Sequence, residues 1–158
     1  MSWGEGEAPR KRPAKTALMY ATDLLARQDH ASAKLREKLL RRGYTEAETE
    51  TAIERLTAAH YLDDADTCAR AFRYLYEESK SSVRQIEQKL LLRGFPRDLV
   101  RDCIPADTFD RETRAARRVL ATRFRAGADP RKMLRSLAQK GFDLSAARAA
   151  VEAFCEAE

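Results

Sequence analysis

Glycine and proline are scarce in this chain of 158 residues, at 6 and 5, and aromatic side chains make up only 8%. Strands and tight turns draw on those residues, while the remainder is rich in Ala, Leu, Arg and Glu, so an all-β fold is disfavoured and an all-α fold is expected. The three cysteines, Cys68, Cys103 and Cys155, are odd in number and far apart. That leaves neither a disulfide framework nor a CxxC metal motif, and each is expected on a packed helix face. No stretch approaches the ~18 uncharged apolar residues of a membrane span, and Met1 to Lys15 lacks the apolar centre of a signal peptide. A soluble, cytoplasmic protein is the expectation. Histidine is confined to His30 and His60, with no neighbouring nucleophile, no HExxH and no Gly-rich phosphate loop. The chain is therefore expected not to be an enzyme and to use no catalytic residue, metal or cofactor.

What is present is an internal repeat. Three Gly-aromatic pairs, Gly43-Tyr44, Gly94-Phe95 and Gly141-Phe142, follow one another at spacings of 51 and 47. Eight and four residues before each glycine stand Leu35 and Leu39, Ile86 and Leu90, and Met133 and Leu137, the i, i+4 stripe of a short amphipathic helix. The glycine supplies the left-handed residue that ends such a helix. Twelve residues before it come Ala31, Ser82 and Asp129; the last two are good N-caps, and Pro130 suits the first helical position. Ala31 cannot cap through its side chain, so Asp29 or Ser32 is the expected substitute.

A second helix follows each aromatic, with Ala52-Ile53, Cys103-Ile104 and Ala150-Val151 facing one way. Thr45 with Glu48 forms a capping box at the first of these, Asp143 caps the third, and Pro96 holds the place in the second. A longer helix precedes each pair, near Thr16 to Arg27, Ala65 to Glu78 and Arg111 to Arg125. The expected fold is all-α, three tandem three-helix repeats forming an elongated, curved array: a flexible basic tail over 1–14, then repeats at 15–62, 63–107 and 108–158. A unit of about 50 residues buries little surface alone, so neighbouring units should share cores.

The net charge of +5 conceals a gradient. Residues 1–58 hold 11 basic and 9 acidic side chains, 59–107 hold 8 and 9, and 108–158 hold 11 and 7. In the last segment Arg111, Arg114, Arg117, Arg118 and Arg125, joined by Arg131, Lys132 and Arg135, form a candidate surface for phosphates or an acidic protein. Lys140 adds to it. Stacking aromatics are not interleaved with these cations, which argues against sequence-specific reading of single strands. The acidic group Asp63, Asp64 and Asp66 could hold a divalent metal, and a metal-dependent nuclease would use it. Its place at the start of a helix favours capping instead.

Several segments are more specific than any single motif. Leu24-Leu25-Ala26-Arg27-Gln28-Asp29-His30 runs into Leu35-Arg36-Glu37-Lys38-Leu39 and Arg42-Gly43-Tyr44. Tyr61-Leu62-Asp63-Asp64 precedes Ala69-Arg70-Ala71-Phe72, and Arg84-Gln85-Ile86 leads to Leu90 and Arg93-Gly94-Phe95. Over roughly Ala17 to Phe154 this pattern resembles the RecX family, bacterial regulators of the RecA recombinase. The chain departs from that family at Ala31, where a capping serine is common, and at Glu77-Glu78-Ser79-Lys80, which replaces a more Gly- and Arg-rich turn. The resemblance implies a non-enzymatic modulator lying in the groove of the RecA–DNA filament. It would inhibit ATP hydrolysis, strand exchange and co-protease activity, and so act on DNA repair and the SOS response. The partner is then the filament, with weak contact to single- or double-stranded DNA, and a monomer is expected. The alternative is a DNA-binding helical-repeat protein acting independently of recombinase.

Overall fold

A computed structural model describes residues 13–157; most of the basic segment expected as a tail, including Trp3, Arg10, Lys11 and Arg12, lies outside them. Among the described residues the chain forms nine α-helices and no strand: α1 (Ala17–Arg27), α2 (Ser32–Arg42), α3 (Glu46–Ala58), α4 (Asp64–Glu78), α5 (Val83–Leu92), α6 (Arg97–Cys103), α7 (Phe109–Arg123), α8 (Pro130–Gln139) and α9 (Leu144–Glu156). Compactness divides them into two units, Met1–Thr67 and Cys68–Glu158. The boundary falls within α4, so the second unit takes in the middle segment only from Cys68 on, together with the last.

The three Gly-aromatic pairs make the same turn. Gly43, Gly94 and Gly141 take φ values of +107°, +90° and +83°, which a Cβ would penalise. Each glycine N–H donates three residues back, to Leu40, Leu91 and Ala138, at 3.0 Å in every case. Each following aromatic N–H donates five residues back, to Leu39, Leu90 and Leu137, at 3.3, 3.3 and 3.2 Å. This is a Schellman cap, which returns the aromatic ring onto the leucine it bonds to. Tyr44, Phe95 and Phe142 are accordingly buried, as are all three leucines. A fourth turn of the same bonding ends α3 with His60 in the left-handed position, at φ +62°.

The helix starts also follow the chemistry of their residues. Thr45 with Glu48 and Ser82 with Gln85 form complete capping boxes, and Asp129 and Asp143 accept backbone N–H bonds at the starts of α8 and α9. The start of α2 departs from expectation. The N-cap residue Ala31 makes no side-chain bond, and Asp64 of α4 accepts from the Ser32 N–H at 2.8 Å and from its hydroxyl at 3.0 Å. A tertiary carboxylate thus replaces the missing local cap.

In the first unit α1, α2 and α3 pack around Ala21, Leu35, Leu39, Ile53 and Leu56. The Tyr44 hydroxyl closes that core by donating to the Lys15 carbonyl at 2.7 Å. His30 is buried beside it, its Nδ1–H donating to the Gln28 carbonyl at 2.9 Å while Nε2 accepts from Lys38 at 2.8 Å. In the second unit α7, α8 and α9 enclose Leu120, Met133, Leu137, Phe142 and Val151. The buried alanines Ala115, Ala116, Ala147 and Ala150 let α7 and α9 approach closely.

Candidate partner interface

Positions 111, 112, 115, 116, 119 and 120 of α7 are all buried, a single face at i, i+1, i+4, i+5 spacing. Arg111 therefore does not belong to the surface expected of it. Its guanidinium donates to four backbone carbonyls: Nε to Tyr76 at 2.9 Å, one terminal nitrogen to Ser81, and the other to Ser79 at 3.0 Å and Leu75 at 3.3 Å. It also lies 5.0 Å from the centre of the Tyr76 ring. Leu75 and Tyr76 belong to the last turn of α4, which has no basic residue of its own. Arg111 supplies the cation and the donors that a helix C-terminus lacks.

Glu112 does the complementary work at the next helix. Its Oε1 accepts from the Val83 N–H at the start of α5, at 3.0 Å, where the helix dipole favours an anion. Burial pushes the Glu112 carboxyl above the usual carboxylate range, against the pull of the Val83 N–H and of Arg111. Burial likewise presses the Arg111 guanidinium downward, opposed by Glu112. Two consecutive residues of α7 thus clamp the loop between α4 and α5 from both ends. The signal was in the sequence: both residues share the phase of Ala115, Val119 and Leu120.

The other predicted cations are exposed, save Lys140, which is half-buried. Arg114, Arg117 and Arg118 stand at i, i+3 and i+4 on α7. With Ala121 of α7 and Ala153, Phe154 and Ala157 from the end of the chain they line a groove of ≈ 450 Å³. Arg114 and Arg118 also edge a second cleft of ≈ 440 Å³ beside Tyr76, Glu77 and Ser79. Arg118 reaches the last carbonyl of α4, donating to Glu78 at 3.2 Å, whereas Arg114 and Arg117 form no ion pair among the described residues. Arg125 falls beyond α7, which ends at Arg123 rather than continuing as expected. Arg131, Lys132 and Arg135 ride on the solvent side of α8, opposite Met133 and Leu137, and line neither cleft. The groove joins the three α7 arginines, and the remaining four exposed cations stand apart from it.

The acidic group has a different role from metal binding. Asp63 accepts from the Asp66 N–H at 3.0 Å at the start of α4, and Asp64 caps α2. Among the described residues no three His, Cys, Asp or Glu side chains are grouped to hold a metal ion, and no helix is long and apolar enough to cross a membrane.

Helical units closed by repeated Gly-aromatic turns, with cationic side chains displayed on the last of them, define an all-α helical-repeat protein with an arginine-lined groove. Residues 17–56 match the family model for RecX, first three-helix domain. A regulatory protein RecX of Thermus thermophilus is 35% identical over 134 residues, covering 83% of this chain and 87% of the relative. One of Halorhodospira halophila is 35% identical over 138 residues, covering 84% of each. The fold is that of the crystal structure of RecX from Lactobacillus salivarius, with a TM-score of 0.75 at 17% identity over 90% of this chain and 96% of that one. The chain belongs to the RecX family of regulatory proteins.

Proposed function

We propose that this protein is a cytoplasmic negative modulator of a RecA-type recombinase. It binds in the groove of the recombinase–DNA filament and lowers ATP hydrolysis, strand exchange and co-protease activity, restraining DNA repair and the SOS response. The observation that carries this reading is the 35% identity, over 83% of the chain, to a protein named regulatory protein RecX. The exposed arginines supply a physical route, since a filament offers the same surface many times and modest contacts from several helices gain avidity together. The reading assigns no catalytic residue and no cofactor.

Added to recombinase, single-stranded DNA and ATP, the protein should slow hydrolysis at or below equimolar ratios. An unchanged rate with a folded protein would sink the proposal. Arg114→Glu with Arg117→Glu should weaken that inhibition at unchanged stability. This pair is preferable to one including Arg118, which also holds the end of α4. Full inhibition by the double variant would remove the groove from the contact surface. The second reading, a DNA-binding protein acting without recombinase, draws on the excess of basic residues over 108–158. It requires tight, strongly salt-dependent binding to naked DNA, and fails if binding needs the filament.

A further inference from the structure

Within the second unit a cleft of ≈ 350 Å³ opens where the α4–α5 loop, the end of α7 and the turn after α8 converge. Lys80, Arg123 and Lys140 line it, together with Ser81, Gln85 and Thr122. The Lys80 ammonium is fixed there by donating to the Thr122 hydroxyl at 3.3 Å. A fourth cation joins from α5, as Lys89 donates to the Ser81 hydroxyl at 2.9 Å. No carboxylate lines the cleft, and none of the four cations forms an ion pair among the described residues. In a chain with 25 acidic residues for 30 basic ones, such a gathering without an acid is electrostatically unfavourable until an anion enters. Arg123, Lys140 and Lys89 each stand near a helix C-terminus, where a cation offsets the dipole. That accounts for them singly and leaves their convergence on one cleft unexplained.

The backbone that carries these side chains is held by buried polar bonds. Arg111 grips the Ser79 and Ser81 carbonyls. Ser82, fully buried, donates to the Lys140 carbonyl at 2.7 Å. At Gly141 an added Cβ would come within 3.2 Å of Arg84 and 3.3 Å of the Ser82 hydroxyl, so this turn sits tightly against α5. A backbone so constrained fixes the points from which these cations reach the cleft, which reduces the ordering left to their side chains when a ligand binds.

We propose that this cleft is a binding site for a phosphate group. Phosphate presents several anionic oxygens at once, and ammonium, guanidinium and hydroxyl donors approaching from three elements suit it better than they suit a single planar carboxylate. The phosphate could belong to a nucleic-acid backbone or to a free phosphate compound, and the inference does not depend on the recombinase reading.

The test uses the full chain and two probes, pyrophosphate by calorimetry and a labelled 15-nucleotide oligothymidylate by anisotropy, each between 50 and 200 mM NaCl. Lys80→Ala/Arg123→Ala/Lys140→Ala is compared with Arg97→Ala/Arg101→Ala/Arg148→Ala, which removes the same charge from exposed helix positions elsewhere. Pyrophosphate affinity should fall roughly tenfold or more in the first variant and stay near wild type in the second, as each phosphate contact to a cation is lost. If the source is a nucleic-acid backbone, oligonucleotide affinity falls with it and the salt slope shrinks by about 2. If only pyrophosphate binding falls, the source is a free phosphate compound. Should the triple variant fail to fold, Lys80→Ala alone, at an exposed loop position, is expected to weaken pyrophosphate binding several-fold. The proposal is overturned if the wild type binds neither probe, or if both triple variants weaken binding equally.

Discussion

Arg111 shows how one side chain can matter more as a donor than as a charge. Its guanidinium serves four carbonyls, of which only that of Leu75 also accepts from Ser79, and truncation would leave those of Tyr76, Ser79 and Ser81, with the Glu112 carboxylate, underpartnered. Removing one member of such a node costs about 3–5 kcal/mol. Arg111→Met should therefore lower Tm by on the order of 10 °C, read by thermal unfolding. A loss no larger than that of Arg114→Met would show that the carbonyls find water instead.

His30 makes a pH prediction at the same scale. Burial holds its imidazole below the usual value of 6.5, and nearby Lys38 adds to this, while the Gln28 carbonyl and Asp29 oppose it. The folded chain thus prefers neutral His30 and the unfolded chain takes up a proton more readily. The stability this contributes is complete above pH ~6.5 and is lost as pH falls through the lower folded value. Between pH 7.5 and 5.5, Tm should decline more steeply in wild type than in His30→Gln. Parallel curves would mean that His30 takes up its proton alike in the folded and unfolded chain.

At the scale of elements, the caps fall into two kinds with different consequences. Thr45 caps α3 alone, whereas Ser82 caps α5 and also bonds the Lys140 carbonyl across the second unit. Losing a cap costs about 1 kcal/mol, and losing a buried tertiary bond adds about 1–2. Urea unfolding should give a loss of about 1 kcal/mol for Thr45→Ala and about 2–3 for Ser82→Ala, equal losses contradicting the double role. The same division explains what the sequence discloses. The Gly-aromatic turns, the Thr45 and Ser82 boxes and the Asp129 and Asp143 caps are set by neighbours within a few residues, so spacing alone reveals them. Asp64 capping α2 from 32 residues away, and Arg111 capping α4 from 35, depend on which helices meet, and no local pattern encodes that. The phase of Arg111 could have marked it as buried; its partners could not have been named. The α7 arginine stripe was legible as a helical face, and its groove, which needs Phe154 and Ala153 from α9, was not.

At the scale of the whole molecule, similar repeats in sequence have become unequal neighbours in structure. From Cys68 on, the middle and last segments share one compact unit, joined by the Arg111 and Glu112 clamp and by the Ser82 to Lys140 bond, while α1 to α3 form the core of the other. Repeat arrays lose structure in cooperative blocks set by such interfaces rather than by sequence boundaries. Arg111→Met should therefore raise amide exchange in α5 and α8 together, at Ile86, Leu90, Met133 and Leu137, because its clamp serves both repeats of the second unit. Leu35, Leu39 and Ile53, in the core of the first unit, should keep their protection. Exchange rising in α5 alone would mean that the middle repeat opens without the third, and that the clamp orders a loop without coupling the repeats on either side of it.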